Sequence, residues 1–376
     1  MTTAIGVVIT DHIGAGRLQD QRLTGRLLRY PEDADELDSL SAIPSSELVE
    51  LLATLIATLA AIDTVQVDAI GVAVPGIIRH GVVEDSPNLS QIKGMHLADE
   101  LTKALAARGI TAPVHVANDA DAIAAGVAAT RGQLNKLTRV WTLGNGIGYG
   151  RWPYVDGVWE GGHVTVSLDP KERFCGCGGL GHLEGIMGTR AMRLRFLDLE
   201  PEEIFANASQ GDPRCRYFVD LWHRALAAAT ASFIHLAGPG RFYFTGYNAH
   251  FLDLPTLRAH MESMVKMSTL QNFSLEVLEP DDETALLGAG VSALRALASL
   301  VRDRMKMFYP MNERGPGGPR YSRPGGRRYN SVITKSCGHG TREFRAPHPR
   351  GVFVFVAEPA LSAVEGVGLN TTPARG

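Results

Sequence analysis

The chain has 376 residues, of which 45% are hydrophobic and 20% charged, and its net charge is −3. That length can hold two domains with cores of their own, and the composition is that of a soluble globular protein. The slight acidity argues against a general nucleic-acid binder. No run of about 18 apolar residues predicts a membrane span, and the opening residues lack the basic-then-apolar pattern of a signal peptide.

Short β-branched runs alternate with helical patterns, which marks an α/β fold. Ala4–Thr10 reads as a strand followed by a turn at Asp11–Gly16. Ser45 or Ser46 is placed to cap a helix running to about Ala61, apolar at Leu48, Leu51, Leu52, Leu55 and Leu59. Ala69–Val74 reads as a buried strand ending at Pro75-Gly76, and Val114–Ala117 as another that stops at Asn118-Asp119. A small-residue helical pattern covers Asp121–Thr130, and a strand at Val140–Leu143 runs into a glycine-rich turn. A long helix is predicted from Tyr217 to about Ala237, a strand at Phe242–Thr245, and a closing helix over Glu283–Leu300. From 301 to 350 there are twelve Lys/Arg against three Asp/Glu with many Gly and Pro. Residues 301–376 therefore read as a basic tail, disordered or foreign to the domain, with Cys337 and His339 incidental.

Asn118-Asp119 falls where a strand gives way to a helix, the end of an α/β sheet at which ligands bind. An Asp there can take a proton from a hydroxyl, and an Asn can orient that hydroxyl. The alternative reading makes Asp119 a helix N-cap. Gly144-Asn145-Gly146-Ile147-Gly148-Tyr149-Gly150 follows a strand and could bring backbone N–H groups to an anion, or be no more than a glycine-rich hairpin. Thr245-Gly246 is a second, weaker strand-to-glycine junction.

The densest region is Glu160–Glu184, where Glu160, His163, Cys175, Cys177, His182 and Glu184 share 25 positions. Two thiols and two imidazoles form the donor set of a closed tetrahedral structural zinc site. The glycines at 176, 178, 179 and 181 permit the tight turns it needs. The plainer reading is a glycine-rich turn with two reduced cysteines. Carboxylates such as Glu160 and Glu184 suit vicinal sugar hydroxyls, and His163 could bind metal through one nitrogen and a ligand through the other. Sparse cysteines fit a reducing cytoplasm.

Taken in order, Gly71-Val-Ala-Val-Pro75-Gly76, Ser86-Pro87-Asn88-Leu89, Asn118-Asp119, Gly144–Gly150, Glu160-x-x-His163 and the Cys175–Glu184 knuckle resemble the ROK family of sugar kinases and sugar-responsive repressors. Leu286–Gly290 looks like that family's glycine-alanine helix, so the similarity runs to about Leu300. The resemblance implies an actin/hexokinase-like (ribonuclease H-like) two-domain fold. It divides the chain into a small α/β domain over 1–117, a larger one with the knuckle over 118–287, and a helix over 288–300 returning to the small domain. It further implies ATP with Mg²⁺, a hexose (glucose by default), structural Zn²⁺ on His163, Cys175, Cys177 and His182, and a homodimer. Asp119 becomes the catalytic base. Asn88, Asn118, Glu160, His163 and Glu184 hold the sugar, and Gly144, Asn145, Gly146, Gly148 and Gly246 approach the nucleotide.

Three departures stand out. His182 replaces the family's third knuckle cysteine, and Asn145 stands where Thr is usual. The family's opening strand ends in Asp-x-Gly-Gly-Thr, whereas Met1–Val8 resembles the residues just after that motif. The first strand is therefore expected to be missing and the chain to be a shortened form. The alternative to a kinase is a non-catalytic sugar sensor or pseudokinase of the same family.

Overall fold

The computed structural model describes residues 2–32, 40–62, 66–155 and 160–308. Three strands open the chain, β1 (Thr3–Ile9), β2 (Ile13–Gln19) and β3 (Arg22–Tyr30). Helix α1 (Ser45–Ala60), strands β4 (Ala69–Val74), β5 (Ile77–Arg79) and β6 (Val82–Asp85), helix α2 (Leu97–Ala106) and β7 (Val114–Asn118) follow. A five-stranded sheet forms in the order β3-β2-β1-β4-β7, with β1 antiparallel to β2 and parallel to β4. Leu48, Leu52 and Ile56 of α1 and Leu101 and Leu105 of α2 are buried in one core with Ile5, Val7, Ile70 and Val72.

The expectation of a missing first strand is corrected here. β1 lies in the middle of the sheet, paired on both sides and buried along its whole length. The sequence reading places a strand at Ala4–Thr10, but its standing as the opening strand is hidden because it ends in Ile9-Thr10-Asp11-His12 instead of Asp-x-Gly-Gly-Thr. Its place is set by long-range packing. Gly6 pairs with Gly71 of β4, and a Cβ at either would collide with the carbonyl of Leu286 or Ala289. The absent side chains let a helix backbone lie directly on the sheet.

That helix is the last described element. The chain passes from β7 straight into α3 (Asp119–Thr130), then β8 (Thr138–Leu143) and β9 (Ile147–Trp152). Short helices α4 (Glu184–Met187), α5 (Thr189–Arg195) and α6 (Pro201–Ser209) lead to α7 (Pro213–Ala237), followed by β10 (Arg241–Thr245), α8 (Leu254–Met264), β11 (Ser274–Val277) and α9 (Asp282–Phe308). The second sheet runs β11-β10-β8-β9 and shares a core with α7 through Trp222, Leu226, Phe242 and Phe244.

Several boundaries differ from the sequence reading. Helix α9 runs through Phe308, past the expected tail start at 301, because no glycine or proline falls between residue 301 and Pro310. Pro44 occupies the N-cap of α1 without a side-chain bond, so neither Ser45 nor Ser46 caps it. Helix α7 begins at Pro213 under an Asp212 cap, four residues before Tyr217. Cys337, His339 and the rest of the basic segment from residue 309 on lie outside the described residues. By length and mean composition the 282–302 stretch of α9 could cross a membrane, although Ser292, Arg295 and Ser299 keep it from being an unbroken apolar run. Its Leu286, Leu287, Ala289 and Val291 are nevertheless buried within the fold, against residues of β1, β2 and α3.

Candidate active site

The β7–α3 junction decides which residue caps the helix. Asn118 takes that role: its Oδ1 accepts from the backbone N–H of Ala120 at 2.8 Å and of Asp121 at 3.3 Å. Its Nδ2 donates to the Gly76 carbonyl at 2.9 Å, tying the end of β7 to the turn after β4. Asp119 is thereby released from capping and becomes the first helical residue. Burial raises its pKa, against the pull of the Ala120 and Asp119 backbone N–H groups and of the Asn118 side chain.

Asp121, which the sequence reading passed over, accepts from the Arg151 N–H at 2.9 Å. Burial, opposed by that bond and reinforced by the charge of Asp119, pushes its pKa up to about 7. As an acid in the first turn of a helix it looked like a surface residue. Only the docking of β9 on α3 buries it.

Glu160 and His163 are positioned by the two glycines between them. Gly161 and Gly162 form a tight turn beneath β9, where a Cβ would strike the Tyr149 side chain or the Ile147 carbonyl. Glu160 has its pKa raised by burial first, lowered by His163, and raised again by the carboxylates of Glu184, Asp119 and Asp85. These charges therefore lie within electrostatic reach of Glu160. Glu184 binds at its edge, accepting from the Ile147 N–H at 3.1 Å and so fixing the β8–β9 turn. Asn88 is exposed in the loop after β6, close in sequence to Asp85, which pairs with Lys93 at 2.9 Å.

The glycine run divides in two. Gly144, Asn145 and Gly146 form the β8–β9 turn, with Asn145 and Gly146 exposed. Gly148 lies inside β9, where a Cβ would collide with Thr142 Oγ1, so packing accounts for it. Gly246 follows β10 with φ +96 and presses on Leu143 at the end of the neighbouring strand β8. The Gly144 carbonyl accepts from buried Asn248 Nδ2 at 3.1 Å and from the Thr189 N–H at 3.0 Å. This anchors the turn from behind, a role the sequence reading missed.

His163, Cys175, Cys177 and His182 converge as expected, with their donor atoms within 4.8 Å of one another. The Cys175–Cys177 sulfurs are 3.4 Å apart, the two Nδ1 atoms 3.2 Å, and three sulfur–Nδ1 separations measure 3.5, 3.5 and 3.2 Å. Bonds of about 2.3 Å to sulfur and about 2.0 Å to nitrogen at tetrahedral angles need donor–donor edges of roughly 3.3–3.8 Å. The four side chains fit an ion of zinc's size. His163 offers Nδ1 to this cluster and leaves Nε2 3.8 Å from a Glu160 oxygen. A histidine of the thiol–imidazole cluster and the Glu160 carboxylate are thus neighbours.

The ROK family model matches residues 33–296, beginning just beyond the β1–β3 segment. A glucokinase of Pyrobaculum calidifontis is 32% identical over 270 residues, covering 66% of this chain and 83% of that protein. Among solved structures, the ROK hexokinase of Thermus thermophilus superposes with a TM-score of 0.66 at 23% identity, covering 79% of this chain and all of that one. A ROK family transcriptional regulator gives a TM-score of 0.63 at 19% identity, with 80% of each chain covered. The fold is accordingly the actin/hexokinase-like one, and the chain belongs to the ROK family.

Proposed function

We propose that this chain is an ATP-dependent hexose kinase, with glucose as its first substrate to test. Kinases and regulators of the family share the fold, so superposition does not separate them. The support comes from the glucokinase relative and from one structural observation. Asn118 takes the helix cap and leaves Asp119 as a buried carboxylate whose raised pKa suits a proton acceptor. In this reading Asp119 takes the proton from the reacting sugar hydroxyl. Glu160, His163 Nε2, Glu184, Asn118 and Asn88 hold the other hydroxyls, and the Gly144–Gly146 turn with Gly246 backs the nucleotide.

Phosphoryl transfer then depends chiefly on alignment, while Mg²⁺ carried with ATP would supply charge neutralisation. Zinc on His163, Cys175, Cys177 and His182 would fix the loop that carries Glu160 and Glu184. A coupled ADP-release assay over a panel of hexoses tests the reading, which requires ATP- and hexose-dependent turnover.

A second reading, a sugar-binding protein without transfer, draws on the β1–β2 turn. His12 there is held between Asp11 Oδ1 at 2.7 Å and Asp282 Oδ2 at 2.8 Å. A carboxylate-rich turn is a poor neighbour for nucleotide phosphates. Sugar binding with no ADP release would establish it.

A further inference from the structure

A cavity of about 830 Å³ adjoins the proposed sugar site and extends well beyond it. Asn118 and Glu160 belong to both. From there it follows the outer edge of β7 to His115 and Val114, and it is walled by Tyr154 and by Ser292, Arg295 and Ser299 of α9. A drug-sized ligand fills about 300–1,000 Å³. A single hexose, with its 12 heavy atoms, occupies only part of such a space.

The walls suit a neutral polyhydroxyl ligand. β7 ends its sheet and pairs only with β4, so the backbone groups on its outer side line the cavity outside the ladder. Burial lowers the pKa of His115, which leaves the imidazole neutral, able to donate from one nitrogen and accept at the other. The Arg295 guanidinium lies 4.8 Å over the Trp152 ring, and among the described residues no carboxylate is within ion-pair distance of it. Its N–H donors face solvent and cavity. The Glu160 carboxylate in its lining opposes an anionic ligand.

We propose that this cavity is a second subsite, taking a further glycosyl ring attached to the reacting hexose. The proposal rests on the hexose kinase reading and narrows its substrate class to include disaccharides. Glucose, maltose, cellobiose and trehalose are compared on the full chain, both by ADP release and by calorimetric binding without ATP. At least one disaccharide is expected to bind at least tenfold more tightly than glucose. Ser299→Trp and Ala296→Phe, which fill the cavity from α9, are expected to lower the disaccharide-to-glucose affinity ratio at least tenfold.

Glucose binding and turnover with no disaccharide binding overturns the subsite and leaves the kinase reading standing. Disaccharide binding that Ser299→Trp abolishes, with no ADP release from any sugar, keeps the subsite and overturns the kinase. A ratio unchanged in both variants overturns the subsite whatever the turnover.

Discussion

Two histidine clusters in this molecule are built on opposite principles. At the β1–β2 turn, His12 is bound by a carboxylate on each nitrogen, so the group is satisfied from within as an imidazolium. In the knuckle, two thiols and two imidazoles crowd to 3.2–3.5 Å, with no set of protons that satisfies every close pair. The first cluster is a latch between a hairpin and the start of α9. The second is a set of four metal-donor side chains drawn together without a pairing that satisfies them from within.

The largest effect should come from emptying the knuckle. Chelation, or Cys175→Ser with Cys177→Ser, is expected to release about one zinc per chain and to abolish hexose binding, read by metal analysis and calorimetry on one sample. Full sugar binding by metal-free protein would break the link between knuckle and site.

Next in size is Gly161→Ala, which places a methyl against Tyr149. An overpacked site of this kind loses about 1–3 kcal/mol, and denaturant unfolding should register it together with weaker sugar binding. An unchanged midpoint would show that the Glu160–His163 turn can yield.

Smaller and of opposite design is the latch. The Asp282 bond, opposed by burial and aided by Asp11, raises the pKa of His12. The stability it adds is therefore complete below the ordinary 6.5 and is lost as pH rises through the raised folded value. The His12 bond holds Asp282 low. Asp11 is held low by its His12 and Thr10 bonds against burial, so on the acid side the contribution is lost as pH falls through those lowered values. Asp11 and Asp282 are largely exposed, which keeps the gain modest. His12→Ala should lower the melting temperature at pH 6 and make little difference at high pH.

Asp121 shifts in the same direction as His12 and opposite to Asp11 and Asp282. Its pKa of about 7 means that folding favours the neutral acid, so stability falls as pH rises from about 4 through about 7. Asp121→Asn should remove that loss. By deleting a charge beside Asp119, it should also move the acidic limb of the rate profile to lower pH.

The contrast also explains what the sequence could disclose. The knuckle was legible because its ligands and glycines fall within 25 consecutive positions, and local spacing is what a sequence displays. The helices α3, α7 and α9 showed in their periodicity, though not at their ends, which depend on caps and on where the next breaker lies. β1 was misread because its place depends on Gly6 meeting Gly71 and a helix some 280 residues away, and its end departs from the family motif. For Asp119 the sequence left the roles of helix cap and base both open. Two backbone N–H groups pointing at Asn118 Oδ1 give the cap to Asn118. Asp121 and the cavity beside β7 had no local signal, being made by β9 and α9 from elsewhere in the chain.

The proposed role of Asp119 as proton acceptor is tested most directly by measuring kcat and glucose affinity together for the parent chain and Asp119→Asn. A fall in kcat of about 10²–10⁴-fold is expected, with zinc content and fold intact. Equal kcat in the two proteins would rule the role out.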